Sequence, residues 1–337
     1  MQLPEFWNLF LKTTQYTSAI ISLTLNSILI TLIITRSPKS LGMYKYLMIY
    51  IAIFEALYSI LDVIAEPSIL SYKAAFIVFR DFKHSIFGRE QGFLLLVVYC
   101  ACFGFSLAIF GVHFIYRYST VDIKFRRFFL SGDKVYALFW IPIVYGIWWG
   151  IVSYIFCHYS ETTNNYIRNG ILYNYDIRLE SISYGIALFY TAENEANVNV
   201  FLGVMCYWFM IVSSFSSVLF FGIRCYIKLS KALTTSDLTS CVTKSLQQQL
   251  FQALVCQTMI PVILMYIPIA GLFAFSMFNI DVGFASSFVT ATIALYPATD
   301  PLPTMFIIKN YRRTLFCKTC RAGPPHTVGS SGDVVDN

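Results

Sequence analysis

Apolar residues in this chain gather into seven long runs, separated by short segments that hold most of the charge. A helix needs about 20 predominantly apolar residues to cross a hydrocarbon layer of about 30 Å. The runs predict spans at about 14–35, 46–66, 91–116, 135–157, 199–223, 250–276 and 284–308. No acidic or basic side chain interrupts the stretch from Ser245 to Ile280. The runs are apolar on every side and lack the two-residue alternation of a membrane β-barrel, so they read as helices buried in lipid and in one another. The expected fold is an all-α membrane protein, a seven-transmembrane helix bundle forming one domain over residues 1–322. The first run follows Glu5 rather than a basic segment and is long enough to span, so it is expected to be an anchor and not a cleaved signal.

Beyond Ile308, basic and apolar residues fall on separate faces over about 309–320, as in a short helix lying on a membrane surface. Cys317 and Cys320 then stand at a membrane edge, where acylation suits a lone Cys-x-x-Cys pair better than metal or redox chemistry. Residues 323–337 are rich in Gly, Pro and Ser and are expected to form a disordered tail.

Composition agrees with lipid as the solvent: 57% of the 337 residues are hydrophobic, only 12% are charged, and mean hydropathy is +0.63. Basic residues fix an orientation, because they are retained on the cytoplasmic side of short loops. With the N-terminus outside and the C-terminus inside, 17 of the 24 Lys and Arg fall in cytoplasmic segments. The long loop 158–198 then lies outside with the acids Glu161, Asp176, Glu180, Glu193 and Glu195. The net charge of +6 is therefore spread over juxtamembrane loops facing anionic lipid and is not a nucleic-acid footprint. Nine scattered Cys outline no disulfide framework, four His give no zinc spacing, and no catalytic or nucleotide-binding motif is present. An enzyme is not expected, and neither is a cofactor or a metal.

Polar residues inside the spans are the functional candidates, since carboxylates in a bilayer are costly and need partners. Glu55 and Asp62 lie two turns apart on one face of the second span. Asp300 precedes Pro301 in the seventh, and is expected to pair with Asp62 or Asn26 through water or a cation, with one carboxyl protonated, or else to cap the proline break. His113, one turn before Arg117, is expected first as a packing residue and second as a proton sensor. Arg117 either donates to helix-end carbonyls or a protein partner, or anchors the helix at the headgroups. Pro261 and Pro268 give the sixth span two kink points. A pocket opening between the outer halves of the helices would draw on Tyr99, Phe103, Met205, Phe209, Tyr266, Phe273, Thr292 and Tyr296, a mostly apolar set suited to a small, weakly polar molecule.

Three stretches carry a resemblance: Leu41-Gly42-Met43-Tyr44-Lys45-Tyr46-Leu47-Met48; Tyr99 to Phe103 continuing to Gly111-Val112-His113-Phe114-Ile115-Tyr116-Arg117-Tyr118; and Gln248-Gln249-Leu250-Phe251-Gln252-Ala253-Leu254. With Tyr296-Pro297 and Asp300-Pro301 leading into Ile307 to Arg313, they resemble the nematode seven-helix chemoreceptors of the str class, which includes diacetyl-receptor-like odorant receptors. The resemblance implies a serpentine receptor for an odorant or other chemical cue, in the plasma membrane of sensory cilia, coupled to a heterotrimeric G protein. Tyr116-Arg117-Tyr118 is similar in placement to the acidic-Arg-aromatic triplet of rhodopsin-like receptors but lacks the acid. The Asp-Pro pair resembles their kink in the seventh helix without its Tyr. Likeness to serpentine receptors favours an inner end of the sixth helix that swings open. The G protein would then meet Arg117, Lys124, Arg126, Arg127, Lys228, Lys231, Lys309 and Arg312. The rival expectation is a membrane transporter or ligand-gated cation channel lined by Glu55, Asp62 and Asp300, against which stands the absence of an inverted repeat.

Overall fold

The computed structural model describes residues 3–38, 41–81, 88–175, 178–234 and 241–316. Cys317, Cys320 and the tail 323–337 lie outside the described residues. Long apolar runs satisfy their backbone groups internally by becoming helices, the arrangement a hydrocarbon solvent demands. The spans are α1 (Leu3–Arg36), α2 (Tyr44–Ala65), α3 (Arg89–Val121), α5 (Ala137–Phe156) and α7 (Val198–Thr234). A sixth span joins α8 (Cys241–Pro261), a π-helical turn (Val262–Tyr266) and α9 (Ile267–Met277). Between the spans lie α4 (Ile123–Phe129) and α6 (Glu161–Tyr175). The last span is two short helices, α10 (Ser287–Thr299) and α11 (Pro301–Ile307), followed by α12 (Lys309–Phe316). Asp300 between them keeps helical angles, φ −61° and ψ −35°, so the prolines break the hydrogen-bond ladder without turning the chain. Six helices among the described residues are long and apolar enough to cross a membrane by themselves. The divided α10–α11 pair is the seventh element of the bundle.

α3 is the central helix, packed on α5, α7 and α2. Its approach to α5 depends on small residues, as expected where both helices already sit in an apolar solvent. A Cβ on Gly104 would fall 2.4 Å from the Trp149 side chain, and one on Gly146 would stand 3.1 Å from the Ala101 carbonyl oxygen. Large apolar residues on the outside of the bundle, among them Ile20, Leu57, Trp140, Ile147 and Ile223, face outward as a lipid-contacting surface.

One end of the bundle departs from an all-helical plan. β1 (Ser68–Tyr72), β2 (Ala75–Asp81) and β3 (Ile182–Leu188) form an antiparallel sheet with β2 in the middle, Leu70 opposite Ile77 and Ile77 opposite Ile186. The segments are rich in β-branched and aromatic residues and are turned at Lys73, whose φ is 49°. Alternation is hidden because both faces are buried. Ile69, Phe76, Val78 and Ala187 pack on the bundle core, while Leu70, Ile77, Phe79, Tyr184 and Ile186 pack with Ile167 of α6. Hydrogen bonds seat the sheet on the spans: Ile69 N to Thr290 Oγ1 at 3.0 Å, Ser71 N to Ser286 Oγ at 3.0 Å, and Ser183 Oγ to the Arg89 carbonyl at 2.7 Å. Cys157, which lies under β3, is a free thiol. The expected all-α class thus holds for the spans and is corrected at this end by a small sheet.

Candidate functional site

Charge differs between the two ends of the bundle. At the sheet end Glu66, Glu90, Glu161 and Glu180 are interspersed with Lys73, Arg80, Arg89, Arg168 and Arg178, and Glu66 pairs with Lys12 at 3.2 Å. Lys124, Arg126, Arg127, Lys231, Lys309 and Arg312 are exposed at the other, basic end.

Beneath the sheet lies a cavity of about 80 Å³. Phe76, Val78 and Ala187 roof it; Tyr58, Tyr99, Phe103, Trp149, Tyr207 and Phe273 line its walls. No residue of that lining is exposed. The surfaces are apolar except for a few hydroxyls. Ser153 and Tyr207 bond each other at 2.7 Å, whereas the buried Tyr58 and Tyr99 hydroxyls lie toward each other and toward the Asp62 carboxyl, short of hydrogen-bond geometry. Unpaired buried donors are costly and call for a partner from water or a ligand. A second, larger space of about 480 Å³ adjoins it between α7 and the sixth span, lined by Leu107, Tyr207, Val212, Phe215, Tyr266 and Ile267 among others.

The eight pocket positions chosen from the sequence separate into three groups. Tyr99, Phe103 and Phe273 line the cavity, and Tyr266 lines the adjoining space, its hydroxyl 3.3 Å from Ser106 Oγ. Met205 and Phe209 are 66% and 74% exposed on the outer surface of α7, because Val204, Tyr207 and Ile211 take its inward face. This corrects their placement in the pocket. Thr292 bonds the Val289 carbonyl of its own helix and lines neither space, and Tyr296 lies fully buried with its hydroxyl 3.5 Å from Glu55. Tyr58, Trp149, Ser153 and Tyr207 line the cavity without having been singled out. Only the turn-by-turn spacing of Trp149 and Ser153, and the helical repeat of Tyr58 and Glu55, hinted at a shared face.

Deeper in the bundle, polar groups from four spans converge. The Glu55 and Asp300 carboxyl groups lie against one another. Gln257 Nε2 donates to Asp300 Oδ2 at 2.9 Å, Thr304 Oγ1 donates to Gln257 Oε1 at 2.8 Å, and Asn26 Nδ2 donates to the Pro297 carbonyl at 3.2 Å. Asp300 Oδ1 and Asn26 Oδ1 are left without partners. The carboxyl partner of Asp300 is thus Glu55 and not Asp62. The helical repeat puts Asp62 about 10 Å further toward the sheet end, beside Tyr58 and Pro297. Asp62 thus stands about two helical turns from the contact of Glu55 with Asp300. Asp300 does not cap a free helix start either, since its backbone is helical and no side-chain cap bond forms. Pro261 and Pro301 are buried at the ends of α8 and α11 beside this cluster.

At the basic end, Arg117 is 3% exposed; its Nη2 donates to the Gln247 carbonyl at 2.9 Å, and the guanidinium stacks 4.8 Å from the Tyr44 ring centre. It joins α3 to α8 and is not a headgroup anchor. His113, 2% exposed, packs edge-on to the same Tyr44 ring. The acid missing before Arg117 has a counterpart five residues on. Asp122 Oδ2 pairs with Lys228 Nζ at 2.6 Å and accepts from Tyr118 Oη at 2.7 Å, while Oδ1 accepts from Phe125 N at 3.0 Å. The Lys228 ammonium, the Phe125 amide and the Tyr118 hydroxyl together hold the Asp122 carboxyl well below the usual carboxylate range. α12 is fixed by the buried Tyr311, whose hydroxyl is 2.6 Å from Ser37 Oγ, and Lys309 N donates to Gln249 Oε1 at 2.9 Å.

Seven packed spans, a lidded cavity near one end and a basic opposite end define an integral membrane receptor of the seven-helix class. Residues 11–316 match the family of serpentine type 7TM GPCR chemoreceptors designated Str. The chain is 39% identical over 318 residues to the G-protein coupled receptor str-217 of Caenorhabditis elegans, covering 93% of this chain and 91% of that one. It is 30% identical over 337 residues to serpentine receptor class r-10 of the same organism, covering 97% and 95%. It belongs to the Str family of serpentine G-protein-coupled chemoreceptors, which are receptors and not enzymes.

Proposed function

We propose that this receptor responds to a small, weakly polar chemical cue that binds in the cavity beneath the sheet, and that it works in the plasma membrane of a sensory cilium. The carrying observation is the cavity itself, whose lining is apolar except for a few hydroxyls, two of them the phenols of Tyr58 and Tyr99, which meet no partner at hydrogen-bond geometry and lie near Asp62. A ligand with one hydroxyl or carbonyl would satisfy Tyr58 or Tyr99 and bury its remainder against Phe103, Trp149 and Phe273. The excess of basic residues at one end supports an orientation in which that end faces the cytoplasm and the sheet faces outward. A heterotrimeric G protein then meets the basic end, at Lys124, Arg126, Arg127, Lys231, Lys309 and Arg312, while Arg117 and Lys228 hold that end together until the ligand shifts the balance of states. The polar cluster around Asp300 lies between the two ends and is the element we assign to transmit that shift.

Second-messenger output in cells expressing the chain, measured across volatile and water-soluble compounds with and without a blocked G protein, tests the reading. A compound response abolished by the block is expected. A response that persists as a membrane current would favour the channel instead.

A further inference from the structure

The cavity has a roof but also a side wall shared with the larger space next to it. Phe103, Trp149, Tyr207, Ile269 and Phe273 line both. The two differ in what surrounds them. No residue of the cavity lining is exposed, whereas the adjoining cleft includes Trp208, Val212 and Ile267, which are 40%, 56% and 62% exposed on the lipid-facing surface of the bundle. The cleft therefore opens sideways, at hydrocarbon depth, between α7 and the sixth span.

Its geometry follows from the π turn. An extra residue per turn over Val262–Tyr266 displaces Val262, Tyr266 and Ile267, all of which line the cleft, and such turns are rare enough to mark function more often than chance. From the water side, by contrast, entry requires opening a hydrogen-bonded sheet whose outer face is itself packed against Ile167. The polar groups in the cleft lining, the Tyr207 and Tyr266 hydroxyls and the Trp149 and Trp208 ring N–H groups, carry no charge to pair with an ion, and the two hydroxyls already have partners in Ser153 and Ser106. A charged molecule would pass only at the cost of an unpaired charge in an apolar channel.

We infer that the ligand enters from the bilayer, through the cleft between α7 and the π turn of the sixth span, and that the receptor is accordingly selective for uncharged molecules that first dissolve in lipid. The inference rests on the proposal that the cavity beneath the sheet is the ligand site. Phe273, Phe103 and Tyr207 form the inner partition, and side-chain rotation there admits the molecule. An acyl chain of a phospholipid is the competing occupant of the cleft.

The route is tested without any signalling partner. The full chain in phosphatidylcholine vesicles is irradiated with a phenyl trifluoromethyl diazirine, an uncharged benzene-sized probe dissolved in the bilayer, and the adducts are mapped. Carbene adducts are expected on Leu96 and Tyr99, inside the cavity, as well as on the lipid-facing Trp140. When the probe is added and flashed before the inner cavity has filled to equilibrium, Val212→Trp combined with Ile267→Trp lowers the inner adducts about tenfold, a barrier higher by about 1.4 kcal/mol, while labelling at Trp140 persists. Both positions line the mouth of the cleft and are more than half exposed, so the larger rings narrow the opening without entering the packed core, and Ile147→Trp on another lipid-facing surface leaves the inner adducts unchanged. Val212→Ala with Ile267→Ala raises them. Equal inner labelling in the plugged and native chains would overturn the route. Adducts on Trp208 with none on Leu96 or Tyr99 would do the same and mark the cleft as a lipid site. Inner labelling that obeys the plug, in a chain that gives no G-protein response to any compound, would sink the ligand reading and leave the route intact.

Discussion

Tyr58 and Tyr99 show how much a single atom decides in this receptor. Each buries a large ring that supports α2 and α3, with ring centres 5.3 Å apart, yet each leaves a hydroxyl unspent. The Glu55 and Asp300 carboxyl groups pose the same problem with more charge. Two touching carboxyls in a membrane hold together only with a proton or cation between them, and Gln257 and Thr304 orient one side of the pair. Asp300→Asn removes one of the opposed acids while keeping the Gln257 contact possible. We expect surface expression to persist and ligand-stimulated signalling to fall by about tenfold, about 1.4 kcal/mol of coupling; unchanged signalling at equal expression would remove the cluster from the mechanism. Gly104 is the opposite case, a residue defined by what it lacks. Gly104→Val pushes α3 off Trp149 and is expected to cost about 1–3 kcal/mol, read as a lower melting temperature in detergent.

Helices were legible in the chain because hydrocarbon imposes length and polarity so strictly that the runs announce themselves. Helix faces were not. Met205 and Phe209 are as apolar as Val204 and Ile211, and in lipid an apolar side chain is equally at home inside or outside, so composition cannot choose between them. The sheet was missed for a related reason: burial on both faces erased the alternation that identifies a strand. Asp122 was overlooked because its partner, Lys228, is 106 residues away. That ion pair links the end of α3 to α7. Asp122→Asn is expected to raise ligand-independent second-messenger output about two- to fivefold, a shift of about 0.4–1 kcal/mol, of the size typical for a partly exposed pair. The sign of its pH dependence follows from the lowered carboxyl. Stability from the pair is fully present above the ordinary aspartate value of about 3.9 and is lost as pH falls through the lower folded value, so basal output should stay flat between about pH 5 and 8. The π turn makes a separate prediction. Deleting Ile263 restores α-helical phasing, narrows the cleft and slows the onset of the response more than it changes the plateau.

Viewed whole, the molecule separates its two tasks by about the thickness of a bilayer. On the reading we propose, a sheet, a cavity and a lateral cleft take up small molecules at one end, and a basic surface held by Arg117 and Lys228 meets a G protein at the other. Between them runs a span divided at Asp300, packed against a span widened by a π turn, and these are the least regular helices in the bundle. Irregular helices tolerate two arrangements more readily than straight ones, which supports our proposal of a switch in the sixth and seventh spans. The direct test of the central claim is the dose response of one active compound across four variants at matched surface expression. Tyr99→Phe and Trp149→Leu should move the half-maximal concentration upward by about tenfold or more, whereas Met205→Ala and Phe209→Ala should leave it where it is. Potency that is indifferent to Tyr99 and Trp149 but lost at Met205 and Phe209 would contradict a ligand site beneath the sheet.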